Sequence, residues 1–367
     1  MKITIRTDER AILEEPLAAK LTGRLPAEPW ILSDGKASIP AQKDGALVRW
    51  IQPALGKNSS ATYDLKTGKA AEGWSFREDG DATTIELRGQ MVAQLWHKNV
   101  PKPYIYPLIG PKGKPMTRNF PMNRVAGETT DHPHHRSMWF THGDVNGLDY
   151  WTEGPNRGKI VARAIEERAH GPVFARFVIV NDWIGPDGKK ACEDRQSFAF
   201  YWGERGLTID FETIVTASEG DLKFGDTKEG SFGIRVASAL EVSRRQGAEM
   251  INSNGEKDAA VWGKRAAWCD YSGKIDEVAM GIAIMDHPES FRHPTHWHAR
   301  DYGLFAVNPF GIHDFVPGAA RNAGDHKMAK GETMRLRYRI WLHEGNAQQA
   351  GVAERWSLFA HPPRIGG

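Results

Sequence analysis

The chain has 367 residues, 40% hydrophobic and 26% charged, which excludes a disordered chain and leaves enough apolar material for a core of ordinary size. Its 48 basic and 46 acidic residues nearly cancel, and no basic run stands out that would follow a phosphate backbone, so nucleic acid is set aside as a partner. Cys192 and Cys269 give neither a disulfide framework nor a CxxC pair. With no signal-peptide core and no apolar run near ~18 residues, the expectation is a cytoplasmic protein without a membrane segment.

Taken in order, the elements read as strands. Lys2–Arg6 (KITIR), Thr84–Leu87 (TIEL) and Phe174–Asn181 (FARFVIVN) alternate or are rich in β-branched and aromatic residues. Pro101–Pro121 is rich in Pro and Gly and reads as a long ordered loop. The turn Pro186-Asp187-Gly188-Lys189 joins FVIVNDWIG to CEDRQSFAFYW as a hairpin. Arg205-Gly206 then leads into LTIDFETIVTA, and Val278–Met285 and Leu336–Trp341 read as core strands. The one helical pattern is Asn346–Phe359, with Val352, Trp356 and Phe359 at helical spacing. The pattern predicts an all-β, mainly antiparallel fold: one large two-sheet β-sandwich over residues 1–367 with a short C-terminal helix, residues 1–90 adding strands to the same fold.

Chemistry collects in two windows. The first, TDHPHHRSMWFTHGDVNGLDYW, carries His132, His134, His135, Arg136, His142, Asn146, Asp149 and Trp151. Pro133 biases His132 toward an extended backbone, which would place His132 and His134 on one side and His135 on the other. The second, HPTHWHARDYGLFAVNPFGIHDF, sets His296, His298, Arg300 and Tyr302 at alternate positions, one face of a strand. Solvated strand faces usually carry Lys, Glu and Thr, so repeated His beside Trp points to function.

Two chemistries fit. His titrates near neutrality and can exchange protons with a carboxylate, for which Asp149, Glu229 and Asp314 are candidates. Alternatively, His132, His134, His296 and His298 can ligate a divalent metal such as Mn, Zn or Fe, although no cupin-type glutamate follows and HExxH is absent. Arg136, Arg235 and Arg300 can clamp a carboxylate or polarise a carbonyl. Glu229 lies in GDTKEGSFGIRV, a charged interruption that reads equally as a hairpin tip. The absence of a P-loop, of a GxGxxG between strand and helix, and of a GxSxG elbow disfavours phosphoryl transfer, nicotinamide chemistry and serine hydrolysis.

DHPHHRSMWFTHGDVNGLDYW, FGDTKEGSFGIRVA, AAVWGKRAAWCDYSG and HPTHWHARDYGLFAVNPFG together resemble a bacterial family labelled "methane oxygenase PmoA-like", from about Lys102 to the C-terminal helix. That resemblance implies the two-sheet supersandwich of galactose mutarotase, a sugar or sugar-derivative ligand, and a sugar oxidoreductase as companion. Its motif positions are Asp131, His132, His134, Arg136, His142, Asn146, Asp149, Trp151, Glu229, His296, His298, Arg300, Tyr302 and Asn308.

The leading expectation is an enzyme performing acid/base chemistry on a sugar or keto-sugar, by epimerisation, elimination or glycosidic cleavage. His134, His142, Asp149, Glu229, His296 and His298 are its catalytic candidates. His132, Arg136, Asn146, Trp151, Arg300, Tyr302 and Asn308 are its binding candidates, with Trp151 as a sugar platform. The rivals are a silent sugar-binding module serving an oxidoreductase and a metal-dependent oxygenase. Exposed strand edges further suggest a homodimer.

Overall fold

The computed structural model describes residues 1–366 and contains three large sheets in which every strand pairing is antiparallel. Two eight-stranded sheets face each other. One runs in the order His296–Ala299, Leu304–Asn308, Gly230–Arg235, Met138–His142, Tyr104–Leu108, Gln90–Trp96, Ala82–Leu87, Trp74–Asp79. The other contains the long strands Lys159–His170, Phe174–Ile184, Lys190–Gly203, Gly206–Thr216 and Thr333–Glu344.

Period two decides what meets between them. Met138 and Phe140, Phe232 and Ile234, and Phe305 and Val307 point inward against Phe177, Phe198, Phe211 and Tyr338. The rings of Phe211 and Phe232 lie 4.6 Å apart. The hairpin at Pro186–Lys189 forms as its sequence demands, with Gly188 at φ +80° and the strands in register from Ile184↔Lys190 to Phe174↔Tyr201.

Three elements differ from the sequence reading. The first six strands, between Lys2 and Thr67, form a separate sheet around Ile3, Ile5, Trp30, Leu32 and Trp50, and the sandwich begins only at Trp74. That sheet docks through polar ties: the Gln42 side chain bonds the backbone of Val173 and Phe174, and Arg339 reaches both Glu15 and Asp210. Pro101–Pro121 is not all loop, because Tyr104–Leu108 is an interior strand between Trp96 and Trp139. The C-terminal pattern is two helices, Ala347–Ala350 and Val352–Ala360, divided at Gly351, whose φ of +74° ends the first one. Among the described residues no helix is long and apolar enough to cross a membrane.

Asp194 is fully buried between the Asn181 amide, at 2.8 Å, and the Trp183 indole, at 2.6 Å. Burial pushes its carboxyl up to about 6. A folded-state value above the unfolded one means stability is full below about pH 4 and is lost as pH rises through 6. Asp194→Asn is therefore expected to flatten the stability profile by up to roughly 3 kcal/mol across that window, read by urea unfolding at a series of pH values. An unchanged slope would show that Asp194 titrates normally.

Candidate active site

The outward face of the first sheet carries the residues that its inward face leaves over. One cross-strand row reads Trp96, Tyr104, Trp139, Gly233, Ala306, His298, each paired with the next in register. The flanking positions on the same face are Arg235 with Leu304, Thr141 with Ser231, and Asn308 with His296. The row thus begins in aromatic rings, narrows to Gly and Ala, and ends in a histidine. Gly233 is required there, since a Cβ would stand 2.7 Å from the Trp139 ring.

His296 and His298 share a face of the strand His296–Ala299, as the alternation predicts. The Nδ1 of each lies against a backbone carbonyl: His298 against Lys228 O at 2.6 Å and His296 against Gly263 O at 2.8 Å. A carbonyl only accepts, so each Nδ1 carries the proton and each Nε2 keeps a lone pair with no hydrogen-bond partner among the described residues. Burial, and then neighbouring cations, hold His298 down to about 4, and burial also lowers His296. Both are neutral bases at pH 7.

The loop that supplies Lys228 O is fixed by Asn308. Its amide donates to Thr227 O and Lys228 O at 2.9 Å, and its oxygen accepts from Phe310 N and Gly311 N. All four bonds stay inside the protein, so Asn308 positions rather than binds. Asn308→Ala is expected to lower stability by about 3 kcal/mol through orphaned buried groups, measured by chemical denaturation; less than about 1 would mean the loop holds itself.

A continuous series of contacts joins the two windows. His132 stacks on Tyr302 at 5.2 Å between centroids, and the Arg300 guanidinium lies 5.7 Å from Tyr302 and 5.5 Å from Trp262. Trp262 meets Phe315 at 5.5 Å, and Phe315 meets His296 at 5.4 Å and His298 at 6.1 Å. Glu229 stands beside Lys228 at 3.2 Å and bears electrostatically on Tyr302. The result is a shelf along which Glu229, Trp262, Arg300 and Tyr302 are half-exposed, while His296 and His298 are buried, at 9% and 3%.

In the first window the extended backbone expected at His132 is absent. His132 has φ +43°, and His135 N bonds back to His132 O at 3.0 Å, closing a turn. Stacking outweighs the proline bias here, because the His132 ring is held between His135, at 4.8 Å, and Tyr302. The His134 ring packs on Trp151 and makes no hydrogen bond among the described residues, and burial with the nearby Lys102 charge lowers it to about 4.

Several expected site residues have other employment. His142 is fully buried, bonded through Nε2 to Gly225 O and through Nδ1 to Ser231. Asp149 accepts from Trp151 N, Thr152 N and the Thr152 hydroxyl, which makes it the tie of a turn rather than a free carboxylate. Asn146 binds the backbone of Lys223 and Asp221 in an exposed turn. Trp151 is 0% exposed and offers no platform to a ligand. Arg136 spends its fork on Glu153, at 2.8 and 2.7 Å. Among the described residues no three His, Cys, Asp or Glu side chains converge as ligands, so His132, His134, His296 and His298 form two pairs and do not fit one divalent metal.

Trp262, Phe315 and Lys228 belong to the shelf and escaped the sequence reading. The signal for Trp262 lay in AAVWGKRAAWCDYSG, one of the four resemblance segments. The buried Lys102–Glu153 pair, at 2.9 Å beneath His134, gave no local signal.

Residues 82–357 match the model of a family of unknown function, DUF6807. The chain belongs to that family. The match begins in the sandwich and leaves out the separate N-terminal sheet, so the family unit is the part that carries the shelf. The PmoA-like label is not part of the family's description. No curated protein matches the sequence. Among solved structures, a galactose mutarotase-like protein from Clostridium acetobutylicum is similar at 9% identity and TM-score 0.34, over 74% of this chain and 99% of that one. A galactose mutarotase-like protein from Lactobacillus casei is similar at 9% and 0.31, over 74% and 100%. A putative aldose 1-epimerase from Escherichia coli K12 is similar at 10% and 0.29, over 75% and 100%. Likeness at this level leaves the function of this DUF6807 member to be argued from its own residues.

Proposed function

We propose that this protein is a carbohydrate-active enzyme that moves a proton on a sugar or keto-sugar, with His298 as the base. The observation that carries the reading is the pinned Nδ1 of His298, which leaves a neutral Nε2 lone pair on a shelf lined by polar and aromatic groups. A base poised this way needs no deprotonation at neutral pH. His296 is a second group of the same tautomer, and Glu229 is the carboxylate partner. Trp262, with Arg300 against its ring, offers surface to sugar C–H bonds, and Tyr302, stacked on His132, closes the far side with His134.

The proton taken by Nε2 leaves an electron pair that delocalises onto an adjacent carbonyl oxygen, where Arg300 is the nearby cation. Return of the proton to the opposite face epimerises the carbon, whereas loss of a neighbouring hydroxyl or glycosyl group gives elimination. A sugar oxidoreductase would supply or consume the carbonyl form. The test is incubation with a panel of reducing sugars and keto-sugars in heavy water, followed by proton NMR. Exchange at one carbon in the wild type, absent in His298→Asn, supports the reading. Equal exchange in both proteins overturns it, and ligand-dependent thermal stabilisation without any exchange would favour a binding module instead.

A further inference from the structure

Three arginines lie on or beside the shelf, and their partners differ. Arg136 is committed to Glu153. Arg235 is fully buried, bonded to Asp131 at 2.9 Å and to His135 at 3.3 Å. Arg300 forms no ion pair and no side-chain hydrogen bond within the described residues; its only neighbours of note are the Trp262 and Tyr302 rings. Other arginines without an ion pair, such as Arg6, Arg24, Arg88 and Arg321, stand exposed, where water takes up their donors. Arg300 is half-buried.

A guanidinium held against two rings keeps its plane and loses the freedom of its stem. Its five donors then present a fixed fork with nothing in the protein to receive it. Arg300 continues the strand beyond His298, its N–H bonded to Leu304 O at 2.8 Å, so the two side chains are alternate residues about 7 Å apart along the strand. A planar fork fits a carboxylate through two parallel bonds. A phosphate dianion fits less well, because its oxygens are tetrahedral rather than coplanar and a single guanidinium leaves its second charge unmatched.

We infer that the shelf takes a sugar acid, a uronate or aldonate, with its carboxylate on Arg300 and the adjoining C–H turned to His298. This rests on the proposed function and names its substrate class. Neutralising the carboxylate is what allows that C–H to ionise. The C–H bond breaks, the proton goes to His298 Nε2, and the electron pair enters the carboxylate as an enediolate on the arginine fork. Reprotonation gives the epimer, and expulsion of a β-oxygen substituent gives the unsaturated acid.

The experiment measures binding of four probes by calorimetry at pH 7 and low salt: sodium glucuronate, sodium gluconate, glucose and glucose 6-phosphate. The proteins are wild type, Arg300→Gln, Arg300→Lys and His298→Asn, each checked for native circular dichroism. The expected result is that wild type binds at least one of the two sugar acids tenfold or more tighter than glucose. Arg300→Gln loses that preference, Arg300→Lys keeps only part of it, and His298→Asn retains it. Glucose binding as tightly as both acids, or a preference unchanged in Arg300→Gln, overturns the sugar-acid assignment and leaves the proposed function standing. Glucose 6-phosphate binding more tightly than both acids, and lost in Arg300→Gln, overturns it in favour of a phosphorylated sugar. No binding of any probe by folded wild type overturns both readings.

Discussion

His298→Asn is expected to lower turnover at least a hundredfold while the melting temperature stays close to that of the wild type. The asparagine Nδ2 sits where the histidine Nδ1 does, so it can still donate to Lys228 O, 2.6 Å away in the native protein. What it removes is Nε2, which makes no hydrogen bond among the described residues. Removing a general base costs on the order of a hundred- to ten-thousandfold. The pH profile gives a second readout. Because burial holds His298 down to about 4, the neutral form persists well below the ordinary histidine range. The acid limb of kcat/KM should therefore fall near pH 4, rather than near 6.5, in a steady-state rate series with the substrate that the exchange screen identifies. A limb near 6.5 would assign the base to a histidine other than His298.

The largest loss of stability is expected at Arg339. Its guanidinium bonds Asp210 at 2.6 and 3.0 Å, reaches Glu15 on the N-terminal sheet, and lies 4.5 Å above the Phe359 ring. Burial opposes its charge, and Asp210 with Glu15 more than offsets that. Glu15 is 2% exposed, and burial raises its carboxyl despite the pull of Arg339 and Arg355. Arg339→Leu leaves that carboxylate without its main partner in a dry interface. The expected cost is about 3–5 kcal/mol at pH 7, measured by urea unfolding. The loss should shrink toward pH 4, where Glu15 can take up a proton instead. A cost below about 1 kcal/mol would mean that Arg355 alone neutralises the site, or that water enters.

The sequence and the structure agree wherever the signal is local. Alternation at Phe174–Asn181, the Pro-Asp-Gly turn and the His296/His298 spacing each depend on residues within a few positions of one another, and each is present as read. Disagreement begins where partners are distant. Nothing in KITIR says that its neighbours are Ser60–Thr67 and Arg364–Gly366 rather than the sandwich. Gly225–Val236 reads equally as a charged hairpin tip or as part of the site because its acidic and basic cluster is visible, while the interior pairing of Gly230–Arg235 with Met138–His142 and Leu304–Asn308 is not. His132 defeats a sound local rule because a residue 170 positions away, Tyr302, supplies the surface on which its ring stacks. Residue type marked both windows. Which of their polar groups were already spent, as in Asp149, Asn146 and His142, was written only in hydrogen bonds.

The strand Arg364–Gly366 pairs with Lys2–Arg6, Thr4 opposite Gly366 and Ile5 opposite Ile365. Closing this sheet therefore joins strands 360 positions apart, as Ile5 and Ile365 are. With Arg364–Gly366 away, Lys2–Arg6 is paired on one side only, by Ser60–Thr67, and its other side becomes a row of free backbone donors and acceptors to which a strand of another copy can add.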